Sequence, residues 1–371
     1  MKFGLMYEHS TPRPFTAEGQ RSVFENAIQQ AKVGEQIGFD SVWCVEHHFL
    51  EEYSHSSCPD LFLAAVARET TTMRLGFGIA TCVPGYHSAI RLAEKAAFLD
   101  HLSGGRVEFG TGRSSTWNEL GGFGADIDAT KESWDEYVRA IPQMWTKDRT
   151  AFDGKHVRMP ERAVLPKPYQ DPHPPMWVAV TAPGTEIEAA ERGLGCLMLS
   201  MAEISKNVPR YKLYRETIAK CTKPVGSFVN DSITAVTWMY CHEDDAVALA
   251  RGKELFDTFS YLAGQTVEVS EIFPSNAYTA FGLLAAIRAD PTAPEEATKK
   301  SNSSFLFGSP ARLRETVQEW QEAGVDRLIM MIQACEIIPQ DEILKSMRLF
   351  SEEVIAHFPD MEIEVKLEEV A

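Results

Sequence analysis

Short apolar runs alternate with longer amphipathic stretches from one end of this chain to the other, and that alternation narrows the possible folds more than any other feature. Repetition of the pair is the mark of βα units wound around a parallel sheet. Strand candidates begin at Lys2, Ser41, Leu75, Arg106, Met176 and Cys196, then at either Ile233 or Phe305, and finally at Arg327, about eight in all. Between them the 3.6-residue period predicts helices over 19–37, 59–71, 88–102, 131–145, from 186 onward, 244–262, 309–323 and 341–357. Ser103-Gly104-Gly105 reads as a helix stop, and Ser309-Pro310 as a start with serine as cap and proline in the first turn. At 371 residues the chain is long for one domain, but α/β barrels run long as single units. The expectation is a single-domain (β/α)8 TIM barrel over 1–371 with insertions: a hairpin turn at 152–155, a proline-rich crossing at 160–175, and a segment at 264–304. A doubly wound sheet would place a glycine-rich turn after the first strand. That turn here is Glu8-His9-Ser10-Thr11-Pro12, without glycine.

The segment 264–304 has no clear period and contains Pro274, Pro291 and Pro294. It also contains Phe273, Tyr278, Phe281, Leu283 and Leu284, too apolar for a solvated linker. It is expected to be a mobile lid over an apolar pocket.

The net charge of −17 argues against nucleic acid, because phosphate neutralisation needs clustered Lys and Arg. Seven scattered cysteines without CxxC spacing form neither a disulfide framework nor a metal site. No apolar run is long enough to span a bilayer, and the N-terminus lacks the pattern of a secretory signal. A cytoplasmic enzyme with no membrane, nucleic-acid or metal partner is expected.

In a parallel barrel, chemistry collects where the strands end at the carboxyl face. Strand two ends in Glu46-His47-His48-Phe49. Adjacent strand residues face opposite sides, so the two histidines cannot ligate one ion together; the motif serves function, or one histidine is satisfied by the barrel wall and the other lies on the surface. Strand three ends in Gly78-Ile79-Ala80-Thr81, small enough for a planar ligand to approach, or for interior packing alone. Strand four ends in Gly110-Thr111-Gly112-Arg113, which suits an anion as well as an ordinary surface turn. Strand five ends in Thr181-Ala182-Pro183-Gly184-Thr185 directly before a helix. There amides and hydroxyls form a phosphate site, and Thr185 also reads as a simple cap.

Taken together with Met1-Lys2-Phe3-Gly4, Gly38-Phe39-Asp40-Ser41-Val42-Trp43, Arg91-Leu92-Ala93-Glu94-Lys95, Leu99-Asp100-His101-Leu102-Ser103-Gly104-Gly105-Arg106, Pro174-Pro175-Met176-Trp177-Val178-Ala179 and Glu322-Ala323-Gly324-Val325-Asp326, these strand ends carry a resemblance. In this order and spacing, from Met1 to about Phe350, the chain resembles the bacterial luciferase-like flavin-dependent monooxygenases. The resemblance implies that His47 is the catalytic histidine beside the flavin ring and that Arg113 binds FMN. It also implies that Thr181, Gly184 and Thr185 hold the FMN phosphate, and that Ile79 and Ala80 lie near a non-prolyl cis peptide behind the ring. The implied activity is an FMNH2-dependent, two-component monooxygenase using O2 through a C4a-peroxyflavin, with a separate NAD(P)H:flavin reductase. Its substrate would be a small, largely apolar organic molecule. A histidine of ordinary pKa would exchange its proton near neutrality in such a site. Two departures stand out: Gly112 where light-emitting luciferase has a reactive cysteine, and Val180 where it has a glutamate. Light emission is therefore not expected. An F420- or NAD(P)H-dependent flavin oxidoreductase of the same fold, or a non-catalytic flavin-binding partner subunit, are the alternatives. A homodimer is expected through the helices 59–71 and 88–102, whose small residues exceed one inward stripe.

Overall fold

Eight parallel strands close into a ring in the computed structural model, which describes residues 1–114, 116–199, 202–266 and 304–359. In chain order the elements begin β1 (Lys2–Tyr7), α1 (Ala17–Gln36), β2 (Ser41–Cys44), α2 (Pro59–Glu69), β3 (Arg74–Thr81), α3 (Ala89–Ser103), β4 (Val107–Gly112), α4 (Trp117–Gly122) and α5 (Thr130–Thr146). A two-stranded hairpin, β5 (Thr150–Asp153) and β6 (Arg158–Arg162), leads through the proline-rich stretch to β7 (Met176–Val180). Then come α6 (Thr185–Glu191), β8 (Gly195–Leu199), α7 (Ile204–Ile218), β9 (Ile233–Cys241), α8 (Asp245–Thr266), β10 (Leu306–Gly308), α9 (Pro310–Glu322), β11 (Arg327–Met331) and α10 (Gln340–Glu353).

The ring runs β1-β2-β3-β4-β7-β8-β9-β11 and returns to β1. The choice between strands at 233 and 305 resolves in favour of β9. β11 pairs with its first half, whereas β10 adds only to its last residues, with Leu306 opposite Met239. Helix starts follow the local chemistry: Thr16 caps α1, Ser88 caps α3, and Gly104 ends α3 in the left-handed conformation. Two helices escape the periodicity. α4 is six residues ending in two glycines, and α7 holds Pro209 in its interior, so propensity argues against both. Of the segment expected to form a lid, residues 264–266 finish α8 and Ser304 leads to β10; residues 267–303 lie outside the described residues.

The amino-terminal end of the barrel is plugged. Trp43 and Trp177 meet edge to face at 5.6 Å, and the Arg327 guanidinium stands over both rings. The Trp177 indole donates to Glu108 at 2.7 Å, and Arg327 pairs with Asp40 at 3.0 Å. The bulk fits because two interior neighbours lack a side chain. A Cβ on Gly76 would sit 2.1 Å from the Trp43 ring, and one on Gly195 2.4 Å from Trp177. With that end filled, the opening among the described residues lies at the carboxyl ends of the strands.

Candidate active site

At that carboxyl end lies a cavity of about 570 Å3, a size suited to a cofactor-scale ligand. It is lined by residues that follow the strands: Glu8 after β1, His47 after β2, Ile79 in β3, Gly112 and Arg113 at the end of β4, and Thr181, Gly184 and Thr185 between β7 and α6. Thus six of the seven residues singled out from sequence share one cavity. Ala80 does not line it. Adjacent strand residues face opposite sides, so with Ile79 inward Ala80 packs into the core behind the wall, 1% exposed. Nor is the Ile79–Ala80 bond cis, since among the described residues cis peptides occur only before Pro14, Pro166 and Pro172. The strand instead slips register against β4 between Phe77 and Ala80.

The histidine pair divides as the strand period requires. His48 turns away from the cavity, its Nε2 3.3 Å from the Glu46 carboxylate and its ring against Phe123. Glu46 ties the loops together, accepting also from His87 and from the Thr81 amide at 2.6 Å. Burial opposes its charge, but these donors outweigh burial and hold its carboxyl down at about 2.

His47 faces the cavity between two carboxylates. Its Nδ1 is 3.0 Å from Glu119 and its Nε2 3.7 Å from Glu8. Burial alone would lower its pKa, yet the fields of Glu119 and Glu8 prevail and raise it to about 9. The expectation of a proton exchanged near neutrality is therefore corrected: His47 keeps its proton through the neutral range because two acids surround it.

Glu119 is the member that sequence reading missed. Its carboxylate accepts from His47, from the His48 amide at 3.1 Å, and from the hydroxyls of Ser114 at 3.1 Å and Thr116 at 2.9 Å. Burial favours its neutral form, but the His47 charge and these donors keep its pKa below the usual range. The signal was present as Thr116-x-x-Glu119, a helix-start pattern, and Thr116 does cap the Glu119 amide at 3.2 Å. Pattern alone assigns that glutamate to the cap; only the fold brings His47 against it. Glu8 was passed over because one acid after a strand carries no pattern at all.

The residues that follow β4 and β7 bring cations and hydroxyls to the cavity. Arg113 Nη1 donates to Thr130 Oγ1 at 3.4 Å, and Lys131 pairs with Glu188 at the rim. Thr181, Gly184 and Thr185 line the cavity, but the helix-amide part of the reading needs correction. The Gly184 amide already donates to Glu186 Oε2 at 3.0 Å, and α6 has only seven residues. Hydroxyls and cations, rather than a row of free amides, are what the cavity offers an anion. Gly112 is also explained: a Cβ there would stand 2.7 Å from the Ile79 side chain.

Comparison with known proteins follows the same lines. The sequence model of the luciferase-like monooxygenase family matches residues 1–327. Protein y4wF of Sinorhizobium fredii is 31% identical over 185 residues, half of this chain, and the chain spans about half of that relative's length, 53%. For a second protein of that organism, y4vJ, the share is 64% at 29% identity. The oxygenase component of the flavin-dependent trigonelline monooxygenase of Acinetobacter baylyi is 25% identical, with 88% of this chain and 87% of that one aligned. Among solved structures, the monooxygenase RslO1 of Streptomyces bottropensis superposes with a TM-score of 0.77 at 25% identity, covering 97% of this chain and 100% of its own. Two others share the fold at lower identity. The oxygenating constituent of a Pseudomonas putida 3,6-diketocamphane monooxygenase, solved with FMN, has TM-score 0.74, 18% identity, and coverage of 95% and 98%. The F420-dependent tetrahydromethanopterin reductase of Methanopyrus kandleri has TM-score 0.69, 19% identity, and coverage of 96% and 99%.

Proposed function

The chain belongs to the luciferase-like monooxygenase family, and from that premise we propose that it is the oxygenating component of a two-component flavin monooxygenase. It takes FMNH2 from a separate NAD(P)H:flavin reductase and inserts oxygen from O2 into a small, largely apolar organic substrate. One observation carries this reading: a single cavity holds a buried, proton-bearing His47 at its inner part and Arg113, Thr181 and Thr185 at the other. The donor set fits the cofactor, with hydroxyls and a guanidinium for a phosphate and the Ile79 side chain and β3 backbone for a flat ring. Bound there, reduced flavin supplies the electrons that activate dioxygen. The protein's own part is to bind, to exclude water and to hold a proton at His47 Nε2, with Glu119 fixing the ring from Nδ1. The name of the Acinetobacter relative supports the oxygenase-component reading, and the FMN-bound Pseudomonas structure supports the cofactor.

FMN is preferred over F420 on charge. The cavity is lined by Glu8, Glu46, Asp128 and Glu188 against Arg113 and Lys131, a poor setting for a cofactor whose tail carries extra carboxylates. A second copy of the chain is proposed as partner, through the exposed Leu61, Phe98, Leu102 and Leu165 on and beside α2 and α3.

The test is direct. Purified protein with FMN and NADH alone should consume almost no oxygen, and addition of a flavin reductase should start oxygen uptake. FMNH2 should bind at least about tenfold more tightly than reduced F420. Turnover without reductase, or tighter F420 binding, would overturn the reading.

A further inference from the structure

We propose that the cavity beside Glu8 recognises an amine: a molecule with an apolar body and a protonated nitrogen that donates to Glu8 Oε2, which has no hydrogen-bond partner. The inference deepens the oxygenase reading, on which it rests for the fate of that molecule.

Glu8 follows β1, whose alternate residues Gly4 and Met6 point into the barrel, so its side chain enters the cavity beside Met6. The side chain is 7% exposed. Its Oε1 accepts from the Tyr53 hydroxyl at 3.2 Å, while Oε2 is buried, faces His47 Nε2 at 3.7 Å and has no partner within hydrogen-bonding distance. A buried carboxylate oxygen left without a donor costs on the order of 1–3 kcal/mol, more when the group is charged. Such an atom, aimed into a cavity, marks where a ligand's donor belongs.

The charges around Glu8 say which donor. The groups facing it are His47, Tyr53 and Glu119. His47 brings one positive charge but stands at hydrogen-bonding distance from Glu119, 3.0 Å, and farther from Glu8, 3.7 Å. Burial raises the Glu8 pKa, and Glu119 adds to that against His47 and Tyr53, which do not offset the cost of a carboxylate there. A hydroxyl would satisfy Oε2 without bringing charge; an ammonium supplies both the donor and the missing positive charge. The same cavity is lined by Val45, Leu50, Phe259, Ile329 and Met331, which offer hydrocarbon contact and no side-chain donor. The complementary ligand is apolar except at one cationic end.

Calorimetric titration of the full chain near neutral pH tests this with matched probes: benzylamine against benzyl alcohol, and 2-phenylethylamine against 2-phenylethanol. At least one amine should bind about tenfold or more tightly than its alcohol. Glu8→Gln should erase that preference while changing alcohol affinity less than about threefold, and Glu8→Asp, which keeps the charge, should retain part of it. FMN titrated into the same proteins reports the integrity of the cavity. If no amine outbinds its alcohol, or Glu8→Gln keeps the preference, the proposal is wrong. It is equally wrong if the variant loses FMN instead, for Glu8 would then serve the cofactor. Failure of the unmodified protein to bind FMN would count against the oxygenase reading alone, since the amine comparison needs no flavin.

Discussion

His47 sits between Glu119 at 3.0 Å and Glu8 at 3.7 Å, and the balance of burial against two negative fields decides when it carries charge. With its pKa raised from 6.5 to about 9, the charged ring stabilises the fold fully below about pH 6.5, and that contribution is lost as pH rises through about 9. If the proton at Nε2 is needed, kcat/KM has an alkaline limb near the same value. Glu119→Gln removes the largest field favouring the imidazolium, so that limb should move to lower pH by about one unit or more, roughly 1.4 kcal/mol. An unchanged limb in the pH profile would show that another group titrates there. His47→Ala should bind FMN normally and lose about a hundredfold or more in turnover. A variant within about twofold of the parent protein would rule out the proton role.

At the scale of elements, the turn between β7 and α6 works with the end of β4. α6 is short and the amide of its cap residue Gly184 is engaged by Glu186, so under the proposed reading affinity for the FMN phosphate would rest on Thr181, Thr185 and Arg113. Replacing both threonines by valine keeps shape and removes two donors. FMN should then weaken about tenfold or more while riboflavin, without the phosphate, changes little. Equal loss for both ligands in a fluorescence titration would place the phosphate elsewhere. α4 illustrates an element that exists for its site. Six residues with two terminal glycines hold no intrinsic helix, yet α4 carries Leu120 into a small core with Val83 and Ile127 and sets Glu119 against His47.

For the whole molecule, the proposed pairing of two copies rests on the outer faces of α2 and α3. Of the residues expected to exceed one inward stripe, Leu63, Ala67, Ala89, Ala93, Ala96 and Ala97 are buried within the single chain, whereas Ala64 and Ala65 are half-buried and Leu61 is exposed. The large apolar side chains outside are Leu61 at 68%, Phe98 at 59% and Leu165 at 61% exposed. A two-fold pairing that covers these would leave both cavity mouths open, since they lie on the helical flank. Leu61→Asp combined with Phe98→Asp should halve the mass seen by light scattering at micromolar concentration, with the melting temperature of the monomer little changed. A monomeric parent protein would end the dimer proposal.

The alternation of strand and helix, the caps at Thr16 and Ser88, the left-handed stop at Gly104 and the choice of strand ends as the place for chemistry were all legible in the sequence. Each depends on residues a few positions apart, where spacing maps directly onto geometry. The histidine that faces the cavity, the arginine and the Thr181–Thr185 turn could be nominated for the same reason. Tertiary structure alone decided that His47 meets Glu119 across 72 positions and Glu8 from the neighbouring strand, and so that its pKa is raised. It alone decided that Ala80 faces the wall, that β9 rather than β10 closes the ring, and that most of the alanines of α2 and α3 are buried inside the chain. Electrostatic fields and burial act through space, and the closing of the barrel sets which distant residues share that space.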